Sequence, residues 1–256
     1  MRIPAGYSET ITTAKASRRI EAFWSFTATT QGQSLVLPDG RCDLIVKFHA
    51  DDRANPTPII TGPATQSYLV TYAPGDCWIG ARMRPEGGAM LWRSQINEAV
   101  DRVLRGGEAQ ALVPELADLQ GDTLTQIHLE RLVDTIARVE SISRPPPVVQ
   151  RAIETLHVTG GRLPVGRLAV YVGCTTRHLN RLFQANVGLS AKTYAQLVQF
   201  QRSLRLIKEN GQSVSAAAHE GGYADQPHLT RAFRRFGGFS PHRLPGDLAL
   251  PKLFPL

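Results

Sequence analysis

The stretch Tyr223–Pro241, YADQPHLTRAFRRFGGFSP, decides how the chain is read. Leu229, Ala232, Phe233 and Phe236 fall at i, i+3, i+4 and i+7, the stripe of a helix packed on one side. Asp225 stands at the N-cap position, and Pro227 lies in the first turn, where a missing N–H costs little. Gly237 and Gly238 end the helix. Its opposite face carries His228, Thr230, Arg231, Arg234 and Arg235.

The same pattern occurs fifty residues upstream. TTRHLNRLFQANVGLS, from Thr175, aligns with DQPHLTRAFRRFGGFS, from Asp225. His178/His228, Leu179/Leu229, Arg181/Arg231, Phe183/Phe233, Gly188/Gly238 and Ser190/Ser240 coincide, and Thr175 and Asp225 are both N-cap types. With a one-residue slip, Ala169 and Gly173 match Ala218 and Gly222. Each copy reads as a short helix with a small Ala for close approach, a turn Gly, and a capped second helix. That is the shape of a helix-turn-helix. A helix over about Ala191–Glu209 joins the two.

Charge sharpens this reading. Residues 1–144 hold 15 Lys/Arg against 17 Asp/Glu, net −2, while residues 145–256 hold 14 against 5, net +9. Positive charge gathered in the repeat-bearing half suits a polyanion, duplex DNA or RNA ahead of membrane lipid. No apolar run approaches a membrane span, and the N-terminus lacks an apolar signal segment. Cys42, Cys77 and Cys174 are far apart and odd in number, which argues against a disulfide framework or a zinc site. A cytoplasmic protein is the expectation.

The first ninety residues read as strands. Ile20, Ala22, Trp24 and Phe26 alternate with polar neighbours, and LVLPDGRCDLIVKF places Pro38-Asp39-Gly40 as a turn between two apolar runs. Short strands with Gly/Pro turns suggest an antiparallel barrel or sandwich. Leu124, Ile127, Leu132, Val133 and Ile136 mark an amphipathic helix opened by Asp122, and the prolines of SISRPPP, 141–147, make the clearest linker.

LAVYVGCTTRHLNRLFQANVGLSAKTY (168–194) and VSAAAHEGGYADQPHLTRAFRRFGGFSPHR (214–243) together resemble the DNA-binding domain of AraC/XylS-type transcriptional regulators. The resemblance implies that one chain addresses successive major-groove faces roughly 34 Å apart. It departs from the family at Ala191, where Pro is usual, at Gln199, where Arg is common, and at Ala216, where an acidic residue is common. PDGRCDLIVKF, TGPATQSYLVTY and IGARMRPEGGAMLW are similar to the short-barrel sensors of one branch of these regulators. The expected fold is therefore two-domain. An N-terminal α+β domain (1–140), a cupin-like antiparallel β barrel plus helices, senses an effector and dimerises. A linker (141–147) leads to an all-α domain with two helix-turn-helix units (148–244), followed by a tail (245–256).

The outward side chains of the two second helices are the candidate readers: Arg177, Asn180, Arg181 and Gln184, then Gln226, Pro227, Thr230, Arg231 and Arg234. Arg can bridge guanine O6 and N7, and Asn or Gln adenine N6 and N7. Arg181 and Arg231 are identical in both copies, which also suits a phosphate or a neighbouring helix. His178, Lys192, Arg202, Arg205, His228 and Arg235 are phosphate candidates. Trp24, Cys42, Tyr68, Trp78, Arg82 and Arg84 are candidate effector-pocket residues, with Arg82 and Arg84 read as sharing one strand face.

Expected partners are double-stranded promoter DNA, an unidentified small-molecule effector, a second copy of the chain and RNA polymerase, with no membrane. The composition leaves activator and repressor equally open. A metal-dependent cupin enzyme would need clustered His and carboxylate ligands. His49, Asp51 and Asp52 lie together without a second His nearby, His128 is the other His of this half, and no nucleotide-binding or hydrolase motif appears. Neither catalysis, a metal nor a cofactor is expected. Sequence-independent binding of RNA or DNA is the remaining rival.

Overall fold

The protein is described from a computed structural model over residues 6–11, 19–119, 126–139 and 145–245. Asp122, Leu124, residues 141–144 and most of the 245–256 tail lie outside the described residues.

Among the described residues, eight strands occur in the N-terminal half: β1 (Tyr7–Ile11), β2 (Ile20–Thr27), β3 (Gly32–Val36), β4 (Asp43–His49), β5 (Asp52–Thr61), β6 (Tyr68–Tyr72), β7 (Asp76–Met83) and β8 (Val103–Arg105). Six make an antiparallel sheet in the order β1-β2-β7-β4-β5-β8, and β3 pairs with β6 in a separate two-stranded sheet. Successive side chains of a strand point to opposite faces. On β4, Leu44 and Val46 enter the core, whereas Asp43, Ile45 and Lys47 line a cavity. The core face is closed by α1 (Gly88–Trp92), α2 (Gly107–Leu112) and α3 (Gln126–Val139), through Leu91, Trp92, Ala109, Leu129 and Val133. Trp92 satisfies its indole N–H by donating to Thr61 O at 2.9 Å.

One feature of this half differs from the sequence reading. Ile20 pairs with Met83 but Ala22 pairs with Arg82, so Glu21 is an inserted bulge residue. Ile20 therefore joins Phe23 in the core, while Trp24 and Phe26 face the cavity. The Pro38-Asp39-Gly40 turn joins β3 and β4, which lie in different sheets.

The C-terminal half is helical: α4 (Pro147–Val158), α5 (Val165–Tyr171), α6 (Thr176–Val187), α7 (Ala191–Lys208), α8 (Val214–Glu220) and α9 (Gln226–Gly237). Pro147 is the first residue of α4, where its missing N–H is harmless, rather than the last of the linker. The axis of the core is α7, 18 residues and roughly 27 Å long. Tyr194 meets Phe183 of α6 at 5.9 Å, and Phe200 meets Phe233 and Phe236 of α9 at 5.1 and 5.6 Å.

Two connections of the β half reach into these helices. Leu37 is buried in the helical core, and Pro38 O accepts from Gln201 Nε2 at 2.6 Å. Arg41 of the same turn is buried against Glu21, and His157 Nε2 lies 2.7 Å from the hydroxyl of neighbouring Tyr194. Burial and the Arg41 charge push His157 down to about 4, which keeps it neutral at ordinary pH. The second connection is Gly62–Ser67. Ser67 N donates to Phe236 O at 2.9 Å and its hydroxyl to Gly237 O at 2.8 Å.

Candidate functional site

The repeat survives as geometry. Gly173 and Gly222 turn the chain at φ 78° and 77°, and Cys174 N and Tyr223 N each donate to the matching alanine carbonyl, Ala169 O and Ala218 O, at 2.9 Å. Thr175 Oγ1 and Asp225 Oδ1 then cap α6 and α9, accepting from His178 N and His228 N at 3.2 and 2.6 Å. Gly188 and Gly238 end the helices at φ 79° and 75°. Leu179 and Phe183, like Leu229 and Phe233, are buried.

The outward faces divide unequally. Arg177, Arg231 and Arg234 are exposed and form no ion pair or hydrogen bond among the described residues. Gln184 and Pro227 are also exposed, as is Lys192 at the start of α7. Arg181 Nη2 lies 3.1 Å from His178 Nδ1. Gln226 is half-buried and bonds His242 at 3.1 Å, and Thr230 donates to Gln226 O at 3.0 Å. His228 Nδ1 accepts weakly from Ala224 N–H at 3.4 Å, and its ring packs on Tyr223. Arg235 reaches Gln196 at 3.2 Å across the face of Phe236.

Three candidates have other work. Asn180 Oδ1 accepts from Ala191 N–H at 3.1 Å, tying α6 to the start of α7. Its amide nitrogen is left for a base. A proline at 191 would lack that N–H, which gives the departure at Ala191 a physical reason. Arg202 pairs with Glu220 at 3.3 Å, bridging α7 and α8. Arg205 is half-buried within the fields of Glu209, Arg41 and Glu21, and burial lowers its pKa. It belongs to the seam with the β half rather than to a phosphate-facing edge.

The second site is a cavity of about 480 Å³ between the six-stranded sheet and the β3–β6 pair, within the range of small-molecule pockets. Its floor is built in rows across the sheet. Asp43 and Ala22 pair with Arg82; Ile45 and Trp24 pair with Gly80; Lys47 and Phe26 pair with Trp78. Gly80 is required by close approach: a Cβ there would come within 2.6 Å of Trp24 Nε1. The indole can thus lie across the sheet and donate to Asp43 Oδ1 at 2.7 Å.

Trp24, Tyr68, Trp78 and Arg82 line this cavity. Cys42 does not: it is one residue out of phase on the core side, against Gly88. Arg84 does not either, because β7 ends at Met83 and Arg84 begins the following 3-10 turn. Glu9, Asp39 and Asp43, which the sequence reading did not single out, complete the polar end. Arg82 Nη1 donates to Glu9 Oε1 at 3.0 Å, and Arg82 Nε lies 3.7 and 3.9 Å from Asp39 and Asp43. Burial pushes the Asp43 carboxyl up to about 6, against the opposing pull of Arg82.

Among the described residues, no three His, Cys, Asp or Glu side chains are placed to hold a metal ion, and no helix is long and apolar enough to cross a membrane.

Comparison with known proteins bears on both sites. Residues 168–244 match a helix-turn-helix domain family, and residues 13–105 match a domain of unknown function, DUF6597. The HTH-type transcriptional regulator GbdR of Pseudomonas aeruginosa is 30% identical over 79 residues, 31% of this chain and 22% of that protein. The uncharacterized HTH-type transcriptional regulator YidL of Escherichia coli is 30% identical over 94 residues, 36% of this chain and 32% of that protein. The chain thus spans about a fifth to a third of the length of the curated relatives it matches. Among solved structures, the C-terminal domain of AraT, a response regulator from Geobacillus stearothermophilus, is 22% identical, covering 39% of this chain and 84% of that one with a TM-score of 0.37. Unsaturated fatty acid-bound wild-type ToxT from Vibrio cholerae is 8% identical, covering 94% and 95% with a TM-score of 0.46. Over residues 168–244 the chain carries a helix-turn-helix domain.

Proposed function

We propose that the chain is a sequence-specific DNA-binding transcription regulator whose DNA contacts are set by a small molecule held in the β half. The observation that carries this is the repeat: two capped helices, α6 and α9, with matching turns and caps, presenting arginines from a half of net charge +9. Arg177, Arg181, Gln184, Arg231 and Arg234 are the readers, helped by Gln226, Pro227 and Thr230. Lys192, Arg235, His178 and His228 face phosphate. Residues 1–140 act as the sensing and dimerising part and 148–244 as the DNA-binding part. The chain works as a homodimer with RNA polymerase in the cytoplasm, without catalysis, metal or cofactor.

The route from cavity to DNA runs through the two connections. Leu37, Asp39 and Arg41 line the cavity, while Leu37 and Pro38 also engage the helical core. Gly62 and Ala64 line the cavity, and Ser67 of the same segment holds the end of α9. A ligand that moves the β3–β6 pair therefore pulls on both helix-turn-helix units.

Selection of bound sequences from a random DNA pool tests the reading. A shared motif that Arg231→Ala relaxes at one base pair is the expected result. Equal retention of all sequences would overturn it in favour of sequence-independent binding.

A further inference from the structure

The charge inventory of the cavity assigns a ligand class, on the reading that it holds an effector. Four cationic side chains line it: Arg41, Lys47, Arg82 and Arg105. Arg41 is neutralised by buried Glu21, Lys47 by Asp76 at 3.1 Å, and Arg105 is exposed at the end of edge strand β8. That leaves Arg82 facing three carboxylates, Glu9, Asp39 and Asp43, at 3.0, 3.7 and 3.9 Å. The buried end of the cavity thus holds more negative charge than the protein compensates.

Hydrogen bonding points the same way. Asp39 Oδ1 accepts from Arg41 N, and Asp43 Oδ1 accepts from Trp24 Nε1. Among the described residues, no donor reaches Asp39 Oδ2 or Asp43 Oδ2 within hydrogen-bond distance, and the Tyr68 hydroxyl beside them has no partner. Burial, then the charges of Asp43 and Asp39, raise the Tyr68 pKa against the smaller opposing pull of Arg105 and Arg82. Two open carboxylate oxygens and a hydroxyl, beside the single unpartnered N–H of Arg82 Nε, call for a ligand whose N–H donors outnumber its acceptors. A metal ion does not fit, since among the described residues no three ligating groups are suitably placed and a guanidinium sits among the carboxylates.

The remainder of the cavity is apolar and aromatic. Tyr7 stacks on Trp24 beside the carboxylates, and Phe26 packs with Tyr72 and Trp78 farther along the sheet. Aromatic faces attract cations, and such walls suit a flat or aliphatic body. The geometry points to an organic cation, a protonated amine, amidine or guanidine on an apolar body, with its head on Asp39, Asp43 and Tyr68 and its body along Trp24, Phe26 and Trp78.

Naphthylmethylamine, naphthalenemethanol and naphthoate share one body and differ in charge. Titrated calorimetrically into the full chain near neutral pH, the amine is expected to bind at least about ten-fold tighter than the alcohol, with naphthoate weakest. Asp43→Asn should bring amine and alcohol within about two-fold of each other. Tyr68→Phe, which removes one oxygen without touching a charge, should weaken the amine about three-fold and leave the alcohol unchanged. Asp43 faces Arg82, Asp39, Glu21 and Trp24, and protonates at about pH 6. Acidification through that value should therefore weaken the amine and spare the alcohol. Alcohol or naphthoate binding as tightly as the amine would overturn the cationic class while leaving an effector cavity intact. Absence of saturable binding by all three, on a chain that still selects DNA, would overturn the cavity reading itself.

Discussion

The two helix-turn-helix units share a skeleton and differ in how they are held. Turn glycines, N-caps and left-handed C-caps are superimposable in kind. The clamp onto the next segment is not. In the first unit Asn180 accepts from Ala191 N–H; at the equivalent places the second unit has Thr230, which turns back to Gln226 O, and Pro241, which has no N–H to offer. The seams differ as well. Gly188 lies against Ile96 and Pro63 of the β half, whereas the end of α9 accepts two hydrogen bonds from Ser67. The first unit is wedged and the second tethered. An effector that shifts the β half should thus reorient α9 more readily than α6.

The largest way to break this comparison is to substitute the paired C-cap glycines. Both sit at left-handed φ, which costs an L-residue roughly 1–2 kcal/mol. A Cβ on Gly188 would also meet Ile96 O at 2.6 Å, an immovable backbone atom, while one on Gly238 would meet only the Ser67 hydroxyl at 3.2 Å. Gly188→Ala should cost about 3 kcal/mol and Gly238→Ala about 1 kcal/mol in urea unfolding. Equal losses would show that the first unit is no more tightly wedged than the second.

Next come the readers. Arg231 has no partner among the described residues, but Arg181 leans on His178. Arg231→Ala should lose about 2 kcal/mol of discrimination at one base pair. Arg181→Ala should lose about half as much discrimination, since His178 already engages one of its nitrogens. A mismatch series read by binding curves separates them, and an unchanged preference in Arg231→Ala would remove it from the readers.

The clamp gives a smaller effect of about 1 kcal/mol. Asn180→Ala leaves Ala191 N–H without its acceptor and should destabilise by that amount. Joining Asn180→Thr with Ala191→Pro imports the second unit's solution and should restore most of the loss. Failure of the double variant to recover would mean that the two clamps are not interchangeable.

The repeat was legible because caps, turns and stripe lie within about twenty residues of one another and each has a local cause. The cavity was less so. Its polar end joins Glu9, Asp39, Asp43 and Arg82, from β1, the β3–β4 turn, β4 and β7, and strand order is not a local property. Aromatic residues at strand spacing led to Trp24, Tyr68 and Trp78. Cys42 is one residue out of strand phase with Asp43 of the cavity, and Arg84 lies one residue past the end of its strand. Commitments of polar side chains, such as Asn180 to Ala191 and Arg202 to Glu220, depend on helix packing that a stripe pattern does not encode.

The smallest effect concerns Arg235, which lies over Phe236 with one nitrogen on Gln196 and belongs to the second unit alone, since Ala185 holds its place in the first. Its guanidinium is exposed, and its Gln196 contact leaves other N–H groups for a phosphate. Arg235→Ala should weaken binding evenly across sequences and reduce the slope of log affinity against log salt by about one unit. The reciprocal Ala185→Arg adds the matching charge to the first unit and should steepen the slope by about the same amount, if that face also meets phosphate. A steeper slope with an unchanged motif would place both helices at equivalent depth on the duplex. No change in slope would mean that the wedge against the β half holds the C-terminal turn of α6 away from the backbone that α9 touches.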